Sequence, residues 1–219
     1  MENFLLQREL TISCSRTERG KHMQLGIRLH DIKKAPLEER LAIAKEQGFL
    51  CGHLALSKVI TEYPVDDGAL TPGYAMYLKK IFAKNDLDIA VLGCYLNLAN
   101  PDEGQLAKIT HRYLAHIRFA SLLGVGVVGT ETGAVNEAYK FEEKNHSDEA
   151  LDIFIQNVKP VISYAEKMGV IFAIEPVWKH IVCNPKRARK VLMRSRLQIF
   201  RSFLIRSIFW ISAIIRTGM

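Results

Sequence analysis

Two side chains suited to acid–base or metal chemistry lie close together in V-I-F-A-I-E-P-V-W-K-H-I-V, residues 170–182. The apolar run 170–174 is typical of a fully buried parallel strand. Glu175 ends this run, Pro176 stops further ladder pairing, and His180 follows in the next loop. Parallel α/β folds hold ligands and metals at the carboxyl ends of their strands, so Glu175 is a candidate catalytic and metal-binding group. The alternative is a strand end that simply meets solvent.

Polar side chains also follow the other predicted strands at the points where each strand ends. They are His30 and Asp31 after the first strand, Ser57 and Lys58 after the second, Tyr95 and Asn97 after the third, and Glu131 after the fourth. In a parallel barrel all of these positions lie on one rim, where catalytic groups gather. We therefore predict that His30, Tyr95 and Glu131 bind substrate around Glu175. Taken singly, a residue such as His30 is more often a solvated or hydrogen-bonded loop residue.

The elements that must position these side chains alternate between strand and helix five times. Apolar patterning and helix-end glycines predict strands over 23–29, 49–56, 87–96, 125–129 and 170–174, and helices over 36–47, 74–84, 103–123, 148–168 and 186–192. This alternation requires a parallel sheet with right-handed crossovers. It does not by itself distinguish an open doubly wound sheet from a (β/α)₈ barrel. His53 falls inside the second strand pattern, which indicates a core histidine.

The sequence contains one segment that looks like a dinucleotide-binding motif, but its position excludes a dinucleotide-binding fold. The segment G-V-G-V-V-G at 124–129 looks like a glycine-rich phosphate loop, but it runs into and along a predicted strand. Its glycines therefore cannot form the strand-to-helix turn that surrounds a pyrophosphate. Since no predicted strand is followed by such a loop, the barrel is favoured.

Composition and charge indicate an ordinary globular protein of about one domain. The chain has 219 residues, of which 48% are hydrophobic and 24% charged. Its net charge of +7 comes from the two ends, because residues 23–192 carry 21 basic and 20 acidic residues. The charge therefore gives no reason to expect a nucleic-acid partner. The four cysteines show no CxxC spacing, which indicates reduced thiols and a cytoplasmic location.

The chain resembles the sugar phosphate isomerase/epimerase family in four segments. They are L-G-I-R-L-H-D, G-C-Y-L-N-L-A-N-P-D, T-E-T-G and E-P-V-W-K-H-I-V-C-N-P-K-R-A-R-K-V-L, and the resemblance extends over residues 23–192. That family has the xylose isomerase-like TIM barrel, in a superfamily that also contains endonuclease IV-type DNA repair enzymes. The resemblance implies an α/β fold of the (β/α)₈ TIM-barrel type. The barrel is expected to be incomplete, with about five to six of its eight βα units present.

The resemblance also implies a metal-assisted reaction. In the superfamily, the Glu that closes the fifth strand ligates a divalent metal (Mn²⁺, Mg²⁺, Co²⁺ or Zn²⁺) and takes part in proton transfer at a sugar carbon. Glu175 matches that Glu, and His180 matches a substrate contact on the following loop. The family completes the site with an Asp, a His and a Glu on the sixth, seventh and eighth strands. No residue here matches those three ligands, so the metal is expected only in a full-length form.

The two ends of the chain depart from the barrel pattern. Residues 1–22 are polar and lack the apolar core of a secretory signal, and we expect a non-native or disordered extension, or else a short ordered arm. Residues 193–219 contain no acidic residue and no proline, with arginines scattered among aliphatic residues. We expect an aberrant basic–hydrophobic tail that follows truncation or a frameshift after Leu192. A basic amphipathic helix lying on a membrane surface is the alternative for this tail.

Three functions compete for this chain. The first is isomerisation or epimerisation of a small sugar or sugar phosphate, with neither a nucleic acid nor a membrane as partner. The second is an inactive barrel remnant, whose open edges would favour homo-oligomers or aggregation. The third is an endonuclease IV-like DNA repair enzyme, which would need strand-end histidines and a basic groove that the body of the chain lacks.

Overall fold

The structure is a computed structural model that describes residues 24–195 and the short segments 200–202, 204–206 and 209–211. The predicted N-terminal extension over 1–22 lies outside the described residues. So do most of the residues in the predicted aberrant tail over 193–219.

The described elements follow the predicted alternation of strand and helix. The strands are β1 (Gly26–Arg28), β2 (Cys51–Ala55), β3 (Asp88–Gly93), β4 (Val127–Thr130), β5 (Ile171–Ile174), β6 (Phe200–Ser202), β7 (Leu204–Arg206) and β8 (Phe209–Ile211). The α-helices are α1 (Leu37–Glu46), α2 (Leu56–Val59), α3 (Pro72–Lys84), α4 (Glu103–Leu123), α5 (Asp148–Lys167) and α6 (Pro185–Ser195). Two 3₁₀ turns, Leu29–Asp31 and Glu143–His146, precede α1 and α5. The first strand is shorter than the predicted 23–29, because it begins at Gly26 and the 3₁₀ turn Leu29–Asp31 takes its last predicted residue.

The order of the strands decides between the two parallel folds that the sequence left open. Strands β1 to β6 form one parallel sheet in the order of the chain, so each strand pairs with the one before it. A doubly wound sheet would reverse its order at a switch point, whereas a barrel adds strands in one direction. Over the residues that the structure describes, the fold is therefore an incomplete TIM barrel. Strands β7 and β8 form a separate antiparallel pair.

The helices begin and end where capping residues satisfy their free backbone groups. Thr71 accepts a hydrogen bond from Tyr74 N at 3.2 Å, and Pro72 opens α3, so this helix starts earlier than its apolar pattern predicted. Asp102 accepts one from Gln105 N at 2.6 Å at the start of α4. Gly124 ends α4 with a φ of 70°, a left-handed conformation that glycine adopts without strain.

The core lies between the sheet and the helices, and it fixes which face each strand residue presents. Its largest fully buried side chains include Tyr113, Phe119, Phe154 and Phe172. The Tyr113 hydroxyl on α4 lies 2.6 Å from Thr130 Oγ1 at the end of β4. Thr130 therefore points toward the helix layer.

No helix among the residues described is long and apolar enough to cross a membrane.

Candidate functional site

Two acidic residues stand side by side at the carboxyl ends of β4 and β5. Thr130 pairs with Ile174 in the parallel ladder, and Glu175 N donates to Thr130 O at 2.7 Å. Successive strand residues point to opposite faces. Because Thr130 faces the helix layer, Glu131 and its neighbour Glu175 face the interior of the barrel. The structure therefore brings these two predicted site residues together.

Glu131 belongs to a compact cluster with His180 and Tyr139. The Tyr139 hydroxyl donates to Glu131 Oε2 at 3.3 Å, and His180 Nδ1 lies 3.6 Å from the same oxygen. The Tyr139 ring stacks on the His180 ring with centroids 5.1 Å apart and planes 15° apart. Burial lowers the pKa of His180, and the charge of Glu131 opposes this effect. His180 is only 1% exposed, so its predicted substrate contact stays a prediction, while its contact with Glu131 is direct.

Sequence reasoning missed Tyr139, which lies in a loop with no motif around it. Its backbone is left-handed, with a φ of 55°, which is uncommon for an aromatic residue and occurs often at functional sites. The turn is held by Asn136, whose side chain donates to Lys140 O at 2.9 Å and accepts from Lys140 N at 3.0 Å. A preference for Asn at such turns was the only available signal.

The Glu175 carboxyl group lies in surroundings that favour its neutral form. Burial is the largest cause, the nearby charge of Glu131 adds to it, and together they raise the pKa of Glu175 to about 7. The positive charges of Arg28 and Lys58 partly oppose this shift. A carboxyl group with a pKa near neutrality can both accept and donate a proton under physiological conditions.

His30, His53 and Tyr95 form a second cluster of polar side chains at the site. His53 Nε2 lies 2.7 Å from the Tyr95 hydroxyl, and the His30 ring meets the His53 ring edge-on at 5.4 Å. Burial lowers the pKa of His53 to about 3, so its imidazole is neutral. Burial raises the pKa of Tyr95, and the charges of Glu175 and Glu131 add to this effect. Tyr95 therefore belongs to the same electrostatic site as the two carboxylates.

Three other residues that follow strands, Asp31, Asn97 and Lys58, make contacts within the protein. Asp31 pairs with Arg28 at 2.7 Å near the surface. Asn97 is buried, and its Oδ1 accepts hydrogen bonds from Ala99 N at 3.1 Å and Ala134 N at 3.0 Å. Lys58 lies with its Nζ 4.4 Å from the centre of the Tyr95 ring, a cation–π contact that keeps a positive charge at the rim.

Buried hydrogen bonds join the loops after β4 and β5. Asn145 is fully buried, and its side chain donates to Lys179 O at 3.1 Å and accepts from Val135 N at 3.1 Å. Thr132 Oγ1 accepts from Val182 N at 2.9 Å. Arg187 donates to the backbone oxygens of Ile181, His146 and Ser147 at 2.7 to 2.8 Å. These bonds hold the half of the site that contains Glu131 and His180.

The residues described do not by themselves fit a divalent metal site. A catalytic metal needs about three protein ligands, usually carboxylates and imidazoles. Over the described ranges, no group of three or more His, Cys, Asp or Glu side chains is placed to hold a metal ion. Glu175 is therefore a single potential donor, and its role as a metal ligand stays a prediction.

Gly93 makes room for the His53–Tyr95 contact, and its replacement by Ala is expected to destabilise the fold. A Cβ atom there would overlap His53 Nε2 and lie 2.7 Å from Tyr95 Cε2. Overpacking of this kind costs about 1–3 kcal/mol in the free energy of unfolding. Chemical denaturation measures it, and Gly126→Ala is the control because its Cβ would meet nothing within 4 Å. Equal effects of the two substitutions would contradict this description of the site.

Glu175→Gln is expected to stabilise the protein at pH 8 and to have little effect at pH 4.5. Since the folded-state pKa is raised from 4.5 to about 7, the stability of the wild type is full below the unfolded value and falls as the pH rises through 7. A Gln side chain does not ionise, so the variant does not lose stability over this pH range. Because the carboxyl is partly exposed, solvent screening reduces the effect, and we expect the free energy of unfolding of the variant to exceed that of the wild type by roughly 1–2 kcal/mol at pH 8.

Denaturation curves at a series of pH values, in buffer with a chelator, measure this difference. The exposed Glu166→Gln is the matched control, for which we expect no dependence on pH. A stability difference for Glu175→Gln that stays constant from pH 5 to pH 8 would show that the carboxyl is not in the surroundings described above.

Comparison with known proteins identifies a family and a set of solved folds. The sequence matches the family model described as xylose isomerase-like TIM barrel over residues 30–196. A search of curated proteins gave no match.

Three solved structures illustrate the similarity in fold. D-psicose 3-epimerase with D-tagatose from Clostridium cellulolyticum H10 has a TM-score of 0.64 and 16% identity, over 83% of this chain and 63% of that chain. The 3-keto-D-glucoside 4-epimerase YcjR from E. coli has a TM-score of 0.64 and 13% identity, over 84% and 68%. The IolI protein with a zinc atom has a TM-score of 0.63 and 18% identity, over 81% and 61%. The chain thus spans under two thirds of the length of the first and third of these proteins.

Proposed function

Because the chain belongs to the xylose isomerase-like TIM barrel family, we propose that it acts as a sugar or sugar phosphate isomerase or epimerase. The reaction would move a proton at a carbon next to a carbonyl group. The observation that carries this proposal is the pair of acidic residues at the ends of β4 and β5, with Glu175 poised to exchange a proton near neutral pH.

Glu175 is proposed as the general base and acid of this reaction. Its ionised carboxylate would remove a proton from the carbon beside the carbonyl, and the electron pair would move to the carbonyl oxygen to give an enediolate. Return of the proton to the former carbonyl carbon, with transfer of a proton from the adjacent hydroxyl to the former carbonyl oxygen, gives the isomer. Delivery of a proton by a second acidic group to the opposite face of the original carbon, while Glu175 keeps the proton that it removed until the next turnover, gives the epimer. Both outcomes conserve all atoms and electrons and need no external oxidant or reductant.

The neighbouring polar groups are proposed as substrate contacts. The Tyr95 hydroxyl stays protonated, and with His53 Nε2–H donating to its oxygen it could donate its own proton in a hydrogen bond to the enediolate oxygen. Glu131 is held by Tyr139 and His180, and it could accept a hydrogen bond from a sugar hydroxyl. His30, whose ring contacts the ring of His53, is proposed as a further substrate contact. The two epimerases of similar fold act on carbohydrates, which supports a carbohydrate substrate for this site.

A divalent metal forms part of the proposal only with ligands from outside the described residues. Glu175 would supply one carboxylate, and at least two more donors would be required. The solved IolI structure holds zinc, which supports a search for such a metal. A bound metal would polarise the substrate carbonyl and lower the barrier to proton removal.

The remaining features of the proposal are the location and the partners. The three cysteines described, Cys51, Cys94 and Cys183, are all free thiols, in keeping with a cytoplasmic protein. The partner is proposed to be a small sugar rather than nucleic acid, and copies could associate through exposed sheet edges.

An inactive barrel remnant is the second candidate. The observation that favours it is that the described residues lack a group of three metal ligands.

Solvent exchange tests the proposed function directly. The protein is incubated in D₂O with ketohexoses, including D-psicose and D-tagatose, and with their phosphates, with and without Mn²⁺, Mg²⁺, Co²⁺ or Zn²⁺. NMR then follows loss of the C–H signal next to the carbonyl and formation of new sugars. Exchange or product formation above a protein-free control supports the proposal. No exchange with any sugar or metal supports the inactive remnant.

A further inference from the structure

A cavity lies at the connection between α2 and α3 and shares no lining residue with the candidate site. It has a volume of about 340 Å³ and is lined by Tyr63, Pro64, Ala69, Tyr74 and Tyr77. Cavities of this size lie at the small end of those that bind small molecules. The connection from α2 and the first turns of α3 bring these residues together.

Three tyrosine rings form the walls of this cavity. Tyr63 meets Tyr77 nearly at a right angle, with ring centroids 5.9 Å apart, and Tyr74 lies almost parallel to Tyr77, with centroids 6.3 Å apart. The Tyr63 and Tyr77 hydroxyls are 3.4 Å apart and bond to each other. The Tyr74 hydroxyl is inaccessible to solvent. The cavity is therefore bounded mainly by aromatic rings and offers few hydrogen-bonding groups.

Negative charge lies close to these rings. The Glu62 carboxylate accepts hydrogen bonds from Leu37 N at 2.6 Å and Thr61 N at 2.7 Å. Partial burial would raise the pKa of Glu62, but these bonds outweigh it and lower the pKa, so the group stays ionised. Within the described ranges, Glu62 has no ion-pair partner. Burial, followed by the charge of Glu62, raises the pKa of Tyr74 to about 12, so this phenol stays neutral.

We propose that this cavity binds a small quaternary ammonium compound. The faces of aromatic rings carry negative potential and attract cations, and a nearby carboxylate adds to that attraction. A primary ammonium ion would have to turn some of its N–H donors from water toward ring faces, which are weaker hydrogen-bond partners, and this is costly. A quaternary ammonium has no N–H group, and its methyl groups can pack directly against the rings. The proposal is independent of the reaction assigned to Glu175.

Binding of choline and of 3,3-dimethylbutan-1-ol to the wild-type chain tests the proposal. The two compounds have almost the same shape, but only choline carries a charge. One cation–π contact at a partly exposed ring changes affinity by a factor of about two to five, so contacts with two or three rings should favour choline by roughly tenfold or more. NMR of the tyrosine ring signals measures both affinities. Equal affinities would overturn the proposal, because they would show that the cavity binds apolar groups without regard to charge. The absence of binding by both compounds would also overturn it.

Variants then locate the binding. Tyr77→Leu removes a ring and Glu62→Gln removes the charge, and each is expected to weaken choline binding several-fold. Tyr164→Leu is the matched control, because Tyr164 does not line the cavity. Glu62→Gln should leave the weaker binding of the neutral alcohol unchanged, which separates loss of charge from loss of structure. Choline binding that survives both Tyr77→Leu and Glu62→Gln would place it elsewhere and refute the site.

Discussion

Glu175→Gln is expected to slow proton exchange at the substrate carbon by about 10²–10⁴-fold, the usual contribution of a general acid–base group. Gln keeps the shape of the side chain but cannot accept or return a proton. In the wild type, exchange should rise with pH through about 7, because the ionised carboxylate is the base, and then level off. The variant should lose this rise along with most of its rate. NMR in D₂O over a pH series measures both effects.

Two controls separate this loss from general damage to the protein. The variant is expected to be more stable than the wild type at pH 8, so a loss of exchange there cannot come from unfolding. Glu166→Gln, on the surface of α5, should keep the wild-type rate and pH profile. If Glu175→Gln exchanged as fast as the wild type, Glu175 would not be the base, although the protein could still be an isomerase that uses another group.

Asn145→Ala is expected to lower the free energy of unfolding by about 2–4 kcal/mol, because it removes three side-chain hydrogen bonds and takes from Val135 N and Lys179 O the partner that Asn145 provides. The Asn145 side chain is fully buried and donates to Lys140 O at 3.2 Å as well as to Lys179 O, while its oxygen accepts from Val135 N. These bonds connect the loop after β4 with the loop after β5. Chemical denaturation measures the loss in stability.

Limited proteolysis shows whether the loss is local to these loops. Cleavage within 136–144 should become faster in Asn145→Ala, because that segment then loses its anchor to the β5 loop. Asn157→Ala is the control, because the Asn157 side chain makes a single hydrogen bond, to Leu98 O at 2.9 Å, and should cost only about 1 kcal/mol. If Asn145→Ala cost no more than this control, the two loops would not depend on Asn145 for their position.

The sequence predicted strands β1 to β5 and helices α1 and α3 to α6, because the signals for these elements are local, but it did not predict α2 or β6 to β8. Apolar periodicity and end signals such as Gly124 and Asp102 act within a few residues, and the helix predicted over 103–123 has those bounds in the structure. The same signals placed Glu175 at the end of a strand. The family that the chain resembles was also readable from short segments, and the match over residues 30–196 confirms it.

Only the tertiary structure could give the order of the strands. Hydrophobic patterns show that a strand is buried, but they do not show which strand it pairs with, because pairing joins residues far apart in the chain. The order from β1 to β6 is what distinguishes the incomplete barrel from a doubly wound sheet. The rim of polar residues at the carboxyl ends of the strands follows from that order.

At the candidate site, too, some features could be predicted from the sequence and others depend on the tertiary structure. From the sequence alone, Glu175, Glu131, His180, His30 and Tyr95 could be proposed, because each follows a predicted strand. Tyr139 could not, since its contacts with Glu131 and His180 depend on how two loops fold against each other. The raised pKa of Glu175 likewise depends on burial and on the charge of Glu131, which come together only when β4 and β5 pair. Residue type and local spacing thus determined which groups are present, and long-range packing decided which of them meet and in which protonation state.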